Sequence, residues 1–216
     1  MKLTLYNYFR SSASYRVRIG LALKGLAYEY VAIHLLKDGG EQNRAEYKAA
    51  KNPMGQVPVL EIAEDGNVTR LIQSVAILEY LDERFATPPL LPKDTLGRAR
   101  VRAIVEIINS GMQPLHNLGV MAEIRRLGGD DKLFAKGAID KGLAALEAEA
   151  KAFGGQFFAG GDVTLADVFL IPQLYGARRF GADLTICPTL CEIEARLLVL
   201  PAVAAAHPER QPDYVA

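Results

Sequence analysis

Thr87-Pro88-Pro89-Leu90-Leu91-Pro92 separates two stretches of this 216-residue chain that follow different periodicities. Such a proline-dense run is stiff and cannot continue a helix or a sheet, so it reads as a linker between domains. Before it, strand and helix patterns alternate. Lys2 to Tyr8 alternates apolar and polar, as a half-buried strand does. Val17, Ile19, Leu21, Ala22 and Leu23 then lie at helical spacing, and Lys24-Gly25 supplies the stop. An extended run at Tyr28 to Ile33 follows, then a polar helix from Glu41 to Lys51 ended by Asn52-Pro53. Val57 to Ile62 reads as a strand holding a proline, Asp65-Gly66 as a tight turn, Val68 to Ile72 as a strand and Ser74 to Arg84 as a helix.

Beyond the linker the strand pattern disappears. Arg98 to Leu118, Asp131 to Phe153, Leu165 to Phe180 and Pro188 to Leu198 read as helices rich in Ala, Leu, Glu and Arg. Thr164-Leu165-Ala166-Asp167 has the form of a capping box opening the third of them. The first half has the order βαβ then αββα, which resembles thioredoxin-like folds. The expected organisation is an α/β thioredoxin-like domain over 1–86, a linker over 87–95 and an all-α domain over 96–216.

The densest chemistry lies in Phe9-Arg10-Ser11-Ser12-Ala13-Ser14-Tyr15-Arg16-Val17-Arg18, where the first strand hands over to the first helix. A helix N-terminus offers unpaired N–H groups and the positive end of the dipole, a setting for an anion. One serine suffices as an N-cap. Three serines flanked by Arg10 and Arg16 exceed that need. Gln73-Ser74 opens a second helix in the same domain, and Ser74 alone would read as a simple cap. Val57-Pro58 breaks a strand where a ladder donor is missing, and a cis proline there would leave the Val57 backbone free to pair with an extended peptide. Two serine-bearing helix starts beside a free backbone edge suit a short acidic peptide.

Composition excludes other classes. Lysine plus arginine and aspartate plus glutamate both number 25, so the basic excess that a nucleic-acid partner needs is missing. No apolar run approaches the roughly 20 residues of a membrane span. The start has no h-region or cleavage site. Cys187 and Cys191 make no disulfide framework and read as packing residues rather than a redox or metal pair. The expected location is the reducing cytoplasm, with no metal, no nucleic acid and no membrane partner.

The runs SSASYRVRIGLALKG, NPMGQVPVL, LIQSVAILEYL, GMQPLHNL, TLADVFLIPQ, RRFGADLTICPTL and HPERQPDYV stand in order along the whole chain. Together they resemble the zeta class of glutathione transferases, the maleylacetoacetate and maleylpyruvate isomerase family. The resemblance implies glutathione as cofactor, a homodimer, and cis–trans isomerisation of a conjugated dicarboxylic keto acid. It places Ser11 against the glutathione sulfur, with Ser12 and Arg16 in the same thiol-binding loop. Gln42, Val57, Gln73, Ser74, Gln113 and Asn117 fall at glutathione contacts, and Arg10 and Arg179 at positions that take substrate carboxylates. This chain departs from the family motif at Ala13, where a cysteine is usual, at Tyr15, where tryptophan is usual, and at Gly119, where some members carry serine. Losing that cysteine leaves the sulfur of glutathione as the nucleophile.

Four residues have plainer readings. His116, beside Pro114 on an apolar stretch, is read as structural, since the isomerisation needs no net proton transfer. Asp167 is read as a helix-start capping residue, and Arg178 and Arg179, without the resemblance, as ordinary charges at a helix C-terminus. Two other functions share the same residues or fold. One is a broad transferase or dehalogenase of small electrophiles such as α-halo acids. The other is a non-catalytic module of the same fold, which would have no use for an intact thiol loop.

Overall fold

The computed structural model describes residues 1–215. They form two compact units, Met1–Pro88 with the segment from Pro201 onward, and Pro89–Leu200. Residues 201–215 therefore correct the expected run of the helical domain to the chain end.

In the first unit, strands β1 (Lys2–Asn7), β2 (Glu29–Ala32), β3 (Val59–Glu64) and β4 (Asn67–Ile72) form one sheet in the order β2-β1-β3-β4. β1 and β2 run parallel across helix α1 (Ser12–Leu23), while β3 is antiparallel to both β1 and β4. A crossover helix suits the parallel pair, and Asp65-Gly66, with φ of 50° and 79°, makes the tight antiparallel turn. Leu3 and Leu5 of β1, Val59, Leu60 and Ile62 of β3, and Val17, Ile19 and Leu21 of α1 are buried. Helix α3 (Ser74–Arg84) adds Ile77, Leu78 and Leu81.

Gly20 lets α1 and α3 meet closely, because a Cβ there would stand 2.2 Å from Leu78 Cδ2. Lys24, at the end of α1, reaches Asp82 at 2.7 Å and the Phe85 carbonyl at 2.6 Å, closing the C-terminus of α3. Helix α9 (Pro201–Ala206) packs on α1. The buried Arg18 guanidinium on α1 accounts for it by donating to the Ala206 carbonyl at 3.1 Å.

Two local readings change. Glu41 to Lys51 is not one helix: a 3-10 turn at Glu41–Asn43 is followed by helix α2 (Ala45–Ala50), and Arg44 between them is extended. Side chains compete with the helix here, since Gln42 Nε2 donates to the Leu35 carbonyl at 3.2 Å and Asn43 Nδ2 to Gly39 at 2.8 Å. β3 also begins at Val59, so Val57-Pro58, a cis peptide, lies before the strand.

The second unit contains helices α4 (Thr95–Asn109), α5 (Leu118–Arg126), α6 (Asp131–Phe153), α7 (Leu165–Arg179) and α8 (Pro188–Leu198). Arg98 to Leu118 was expected as one helix. It breaks after Asn109 into a turn and a short 3-10 stretch, Gln113–His116, where Pro114 has no N–H for a helical ladder. The central helix α7 is buried along nearly its whole length. Its capping box forms as the sequence predicts: Asp167 accepts from the Thr164 N–H at 2.8 Å and hydroxyl at 3.1 Å. Asp167 also accepts from Phe158 N–H at 2.8 Å, and burial pushes its carboxyl up to about 6. No described helix is long and apolar enough to cross a membrane.

Candidate active site

Ser11 is the N-cap of α1, and its Oγ accepts the Ser14 N–H at 3.2 Å. The lone pair is thereby used while the hydroxyl proton stays available to a ligand. Tyr15 N–H bonds the Ser11 carbonyl, so the N–H groups of Ser12 and Ala13 remain without helical acceptors at the same end. Ser14 is buried and turns back to the Tyr8 N–H at 3.5 Å, so of the three serines it serves the fold. Ser12 is half-buried as the first residue of α1.

The second helix start lacks a side-chain cap. Gln73 precedes α3 with φ 69° and ψ 121°, a left-handed-side conformation that costs a non-glycine residue on the order of 1–3 kcal/mol. The first turn of α3 thus presents N–H groups with no capping oxygen. Gln73 is exposed, with Nε2 3.5 Å from Gln56 Oε1, while Ser74 is buried.

Arg16 links the two starts. Its guanidinium is fully buried, and Nη1 donates to Ser74 Oγ at 3.2 Å. Ser12 and Arg16 both lie on α1 rather than in a loop, Ser12 as its first residue and Arg16 one turn further on. The positive charge of Arg16 adds to two helix dipoles that already favour an anion.

Val57 is half-buried and lies outside the strand ladder, which starts at Val59. The neighbouring Gln56 carbonyl is held by Tyr47 Oη at 2.9 Å and Asn52 Nδ2 at 3.0 Å. Gln42 is buried, and its Oε1 has no hydrogen-bond partner. An unpaired buried carbonyl is costly unless a ligand completes it. The loop carrying Gln42 is braced by His34, whose Nδ1 accepts from the Leu36 and Lys37 N–H groups at 3.2 and 2.9 Å.

Arg10 is half-buried on the turn before Ser11, with its guanidinium 5.8 Å from the Phe9 ring centroid. Tyr15, at the departure from the family motif, is buried against His207, at 6.1 Å between ring centroids, with the Arg18 guanidinium 5.2 Å from its ring. The sequence reading missed the part Arg18 plays here. As the third arginine of the same run, it was visible only as a charge on an apolar helix face.

In the second unit, Gln113 opens the 3-10 stretch and Asn117 caps α5, accepting the Leu118 N–H at 3.1 Å. Both are half-buried. His116 between them is buried, 3.5 Å from Gln173 Nε2 and tilted against the Phe180 ring, the packing role expected of it. Arg178 and Arg179 separate clearly. Arg178 forms a two-pronged ion pair with Glu194, one arm at 2.6 Å, while Arg179 ends α7 and is exposed. Cys187 is buried, and burial pushes its thiol up to about 12, so it is inert as a nucleophile.

A thioredoxin-like unit whose two helix starts leave N–H groups unpaired, joined in sequence to a helical unit, has the architecture of a glutathione transferase. Family models for the glutathione S-transferase N-terminal domain and C-terminal domain match residues 1–83 and 95–205. The chain is similar to maleylacetoacetate isomerase of Mus musculus, at 47% identity over 97% of this chain and 94% of the mouse protein. It is also similar to the crystal structure of maleylacetoacetate isomerase from Anaeromyxobacter dehalogenans with glutathione bound in the active site. That match has 52% identity and a TM-score of 0.90, and covers 98% of this chain and 97% of that one. A further structure of the same protein holds dicarboxyethyl glutathione and citrate in the active site. A bacterial maleylpyruvate isomerase of the zeta class matches at 39% identity and a TM-score of 0.91, covering 98% of this chain and all of that one (100%). The chain belongs to the zeta class of glutathione transferases, the maleylacetoacetate and maleylpyruvate isomerase family.

Proposed function

We propose that this protein is a glutathione-dependent cis–trans isomerase of a conjugated dicarboxylic keto acid, maleylacetoacetate or maleylpyruvate. The observation that carries the reading is the pair of serine-bearing helix starts joined by buried Arg16. Ser11 donates to the glutathione sulfur, with Ser12 and Arg16 adding positive potential. Gln42, Val57, Gln73 and Ser74 hold the peptide, and family resemblance adds Gln113 and Asn117 as glutathione contacts. Arg10 and Arg179 take the substrate carboxylates.

Rotation about a C=C bond requires its transient loss. The thiolate adds to the alkene carbon β to the ketone, forming a C–S bond and moving the π electrons onto the ketone oxygen as an enolate. The former double bond is now single and rotates. The enolate then collapses, the C–S bond breaks, and the trans alkene and the thiolate are released. No proton or electron is gained or lost overall. A thiolate suits both addition and departure.

A free thiol near pKa 8.5 is only about 3% ionised at pH 7. Lowering it by roughly two units takes about 2.7 kcal/mol of differential stabilisation. A charge-assisted hydrogen bond from Ser11 and a helix dipole together supply about that much. A much lower value would weaken the nucleophile. The developing enolate calls for a nearby donor or cation, and a two-pronged arginine hold on a carboxylate fixes one half of the substrate while the other turns.

We also assign the protein to a homodimer and to the cytoplasm. The function is tested by supplying maleylacetoacetate, maleylpyruvate and dichloroacetate separately, each with glutathione. Isomerisation of either keto acid at far higher kcat/KM than dichloroacetate turnover supports the reading. Turnover of dichloroacetate alone makes the protein a dehalogenase.

A further inference from the structure

The turn Tyr8–Ser11 carries Arg10 and Ser11, and buried Arg18 and the chain's final segment hold it. Ser11 N–H closes the turn on the Tyr8 carbonyl at 3.0 Å. That carbonyl also accepts from Arg18 Nη1 at 3.3 Å, and Arg18 Nη2 donates to the Phe9 carbonyl at 2.8 Å. Arg18 Nη1 is held in turn by Asn7 Oδ1 at 3.1 Å.

The other side of the same peptide is held by the final segment. Asp213 Oδ2 accepts the Phe9 N–H at 3.0 Å, and Oδ1 accepts the Tyr30 hydroxyl. Burial and the Asp213 contact push the Tyr30 hydroxyl far up, so it stays a neutral donor throughout the working range. The Phe9 ring meets Tyr214 edge-on at 5.5 Å and Tyr8 at 4.6 Å. Phe9 is thus fixed at its N–H, its carbonyl and its ring, one residue before Arg10 and two before Ser11.

We infer that Asp213, working with Arg18, is a positioning residue that sets the geometry of the thiol-activating turn. The final segment is then a strap over the site's own loop rather than a surface appendage. Two hydrogen bonds to one carboxylate fix a backbone where a displacement of about 1 Å can cost a hundredfold in rate. The inference rests on the glutathione-dependent reading given above.

The test compares wild type with Asp213→Ala, Asp213→Asn and Tyr30→Phe. Calorimetry gives glutathione affinity, ultraviolet titration gives the pKa of the bound thiol, and steady-state kinetics separates KM from kcat. Asp213→Ala is expected to raise the bound-thiol pKa and to raise KM for the dicarboxylate about tenfold. Asn keeps an acceptor for the Phe9 N–H and a partner for Tyr30, so Asp213→Asn is expected to recover both within about twofold. Tyr30→Phe loosens one arm only and is expected to shift the thiol pKa upward by a smaller amount. It keeps the test open should the alanine variant not fold.

A fall in melting temperature with unchanged thiol pKa and KM in both Asp213→Ala and Tyr30→Phe would overturn the inference, leaving a purely structural strap. Asp213→Asn behaving like Asp213→Ala would also overturn it, since charge rather than hydrogen bonding would then be what matters. Failure of wild type to bind glutathione would sink the functional reading itself, an outcome distinct from the other two.

Discussion

Arg16 Nη1 and Ser74 Oγ lie 3.2 Å apart across 58 residues of sequence, joining the N-termini of α1 and α3 inside the first unit. This bond places both dipole ends beside one buried cation, and the proposed function assigns the thiol end of glutathione to the first and its γ-glutamyl end to the second. Replacing Ser74 by Ala removes the oxygen that Arg16 bonds. The expected result is at least tenfold weaker glutathione binding with a loss of about 1–3 kcal/mol in stability, measured by calorimetry and urea denaturation.

Ser11→Ala keeps the fold, because an N-cap loss costs about 1 kcal/mol, but removes the hydroxyl that the proposed function assigns to the glutathione sulfur. Turnover at neutral pH is expected to fall at least tenfold, from a loss of roughly 1.5–3 kcal/mol at a charged acceptor. Ultraviolet titration of bound glutathione checks the cause. An unchanged thiol pKa would pass the role of activator to Ser12.

Gln42→Leu separates binding from folding. The buried Oε1 that lacks a partner disappears, along with one bond to the Leu35 carbonyl. Losing an unsatisfied carbonyl offsets losing that bond, so the melting temperature is expected to hold while the glutathione Kd rises about tenfold. A large fall in melting temperature with unchanged Kd would make Gln42 a loop brace only.

Arg10→Met and Arg179→Met are each expected to raise KM for the dicarboxylic substrate about ten- to hundredfold. Conjugation of a neutral aryl halide, which carries no carboxylate, is expected to change little. The ratio between the two substrates cancels damage to folding or to cofactor binding. Equal losses on both would assign these arginines to the scaffold.

Asp167 gives the stability a defined pH window. Its folded-state value of about 6 lies above the ordinary carboxylate value of about 3.9. Between the two, the folded chain holds the proton more tightly than the unfolded chain does. The Asp167 contribution to stability is therefore greatest below pH 4, falls as pH rises to about 6, and is level above that. Urea denaturation of wild type and Asp167→Asn should show a difference that narrows by at most about 3 kcal/mol over this window. A constant difference would mean that the Thr164 and Phe158 hydrogen bonds offset burial in full, leaving the carboxyl unshifted.

Local chemistry explains what could be read from the chain alone. The Asp65-Gly66 turn, the Ser11 and Ser74 helix starts and the Thr164–Asp167 capping box all rest on residues adjacent in sequence. The break after Asn109 is hidden because Ile108, Met112, Leu115 and Leu118 continue an apolar pattern across Ser110-Gly111 and Pro114. The final segment was misplaced because what holds it is long-range: Arg18 meets Ala206 across 188 residues, and Phe9 meets Asp213 across 204. The six residues Pro201–Ala206 are too short for periodicity to mark a helix or what it covers. The division of labour between Arg178 and Arg179 was hidden too, since only the packing of α7 on α8 brings Glu194 to the first of them.

The central claim is that the thiolate of glutathione is the nucleophile of the isomerisation. With Ala13 in the thiol loop and both cysteines on α8 or at its start, the first unit has no thiol of its own. The most direct measurement follows the cis-to-trans conversion of maleylpyruvate by ultraviolet absorbance with saturating glutathione, and again with saturating S-methylglutathione. The account predicts rapid conversion with the free thiol and only the uncatalysed rate with the blocked one, even though both ligands occupy the site. Catalysed conversion with S-methylglutathione, or with no glutathione at all, would contradict it.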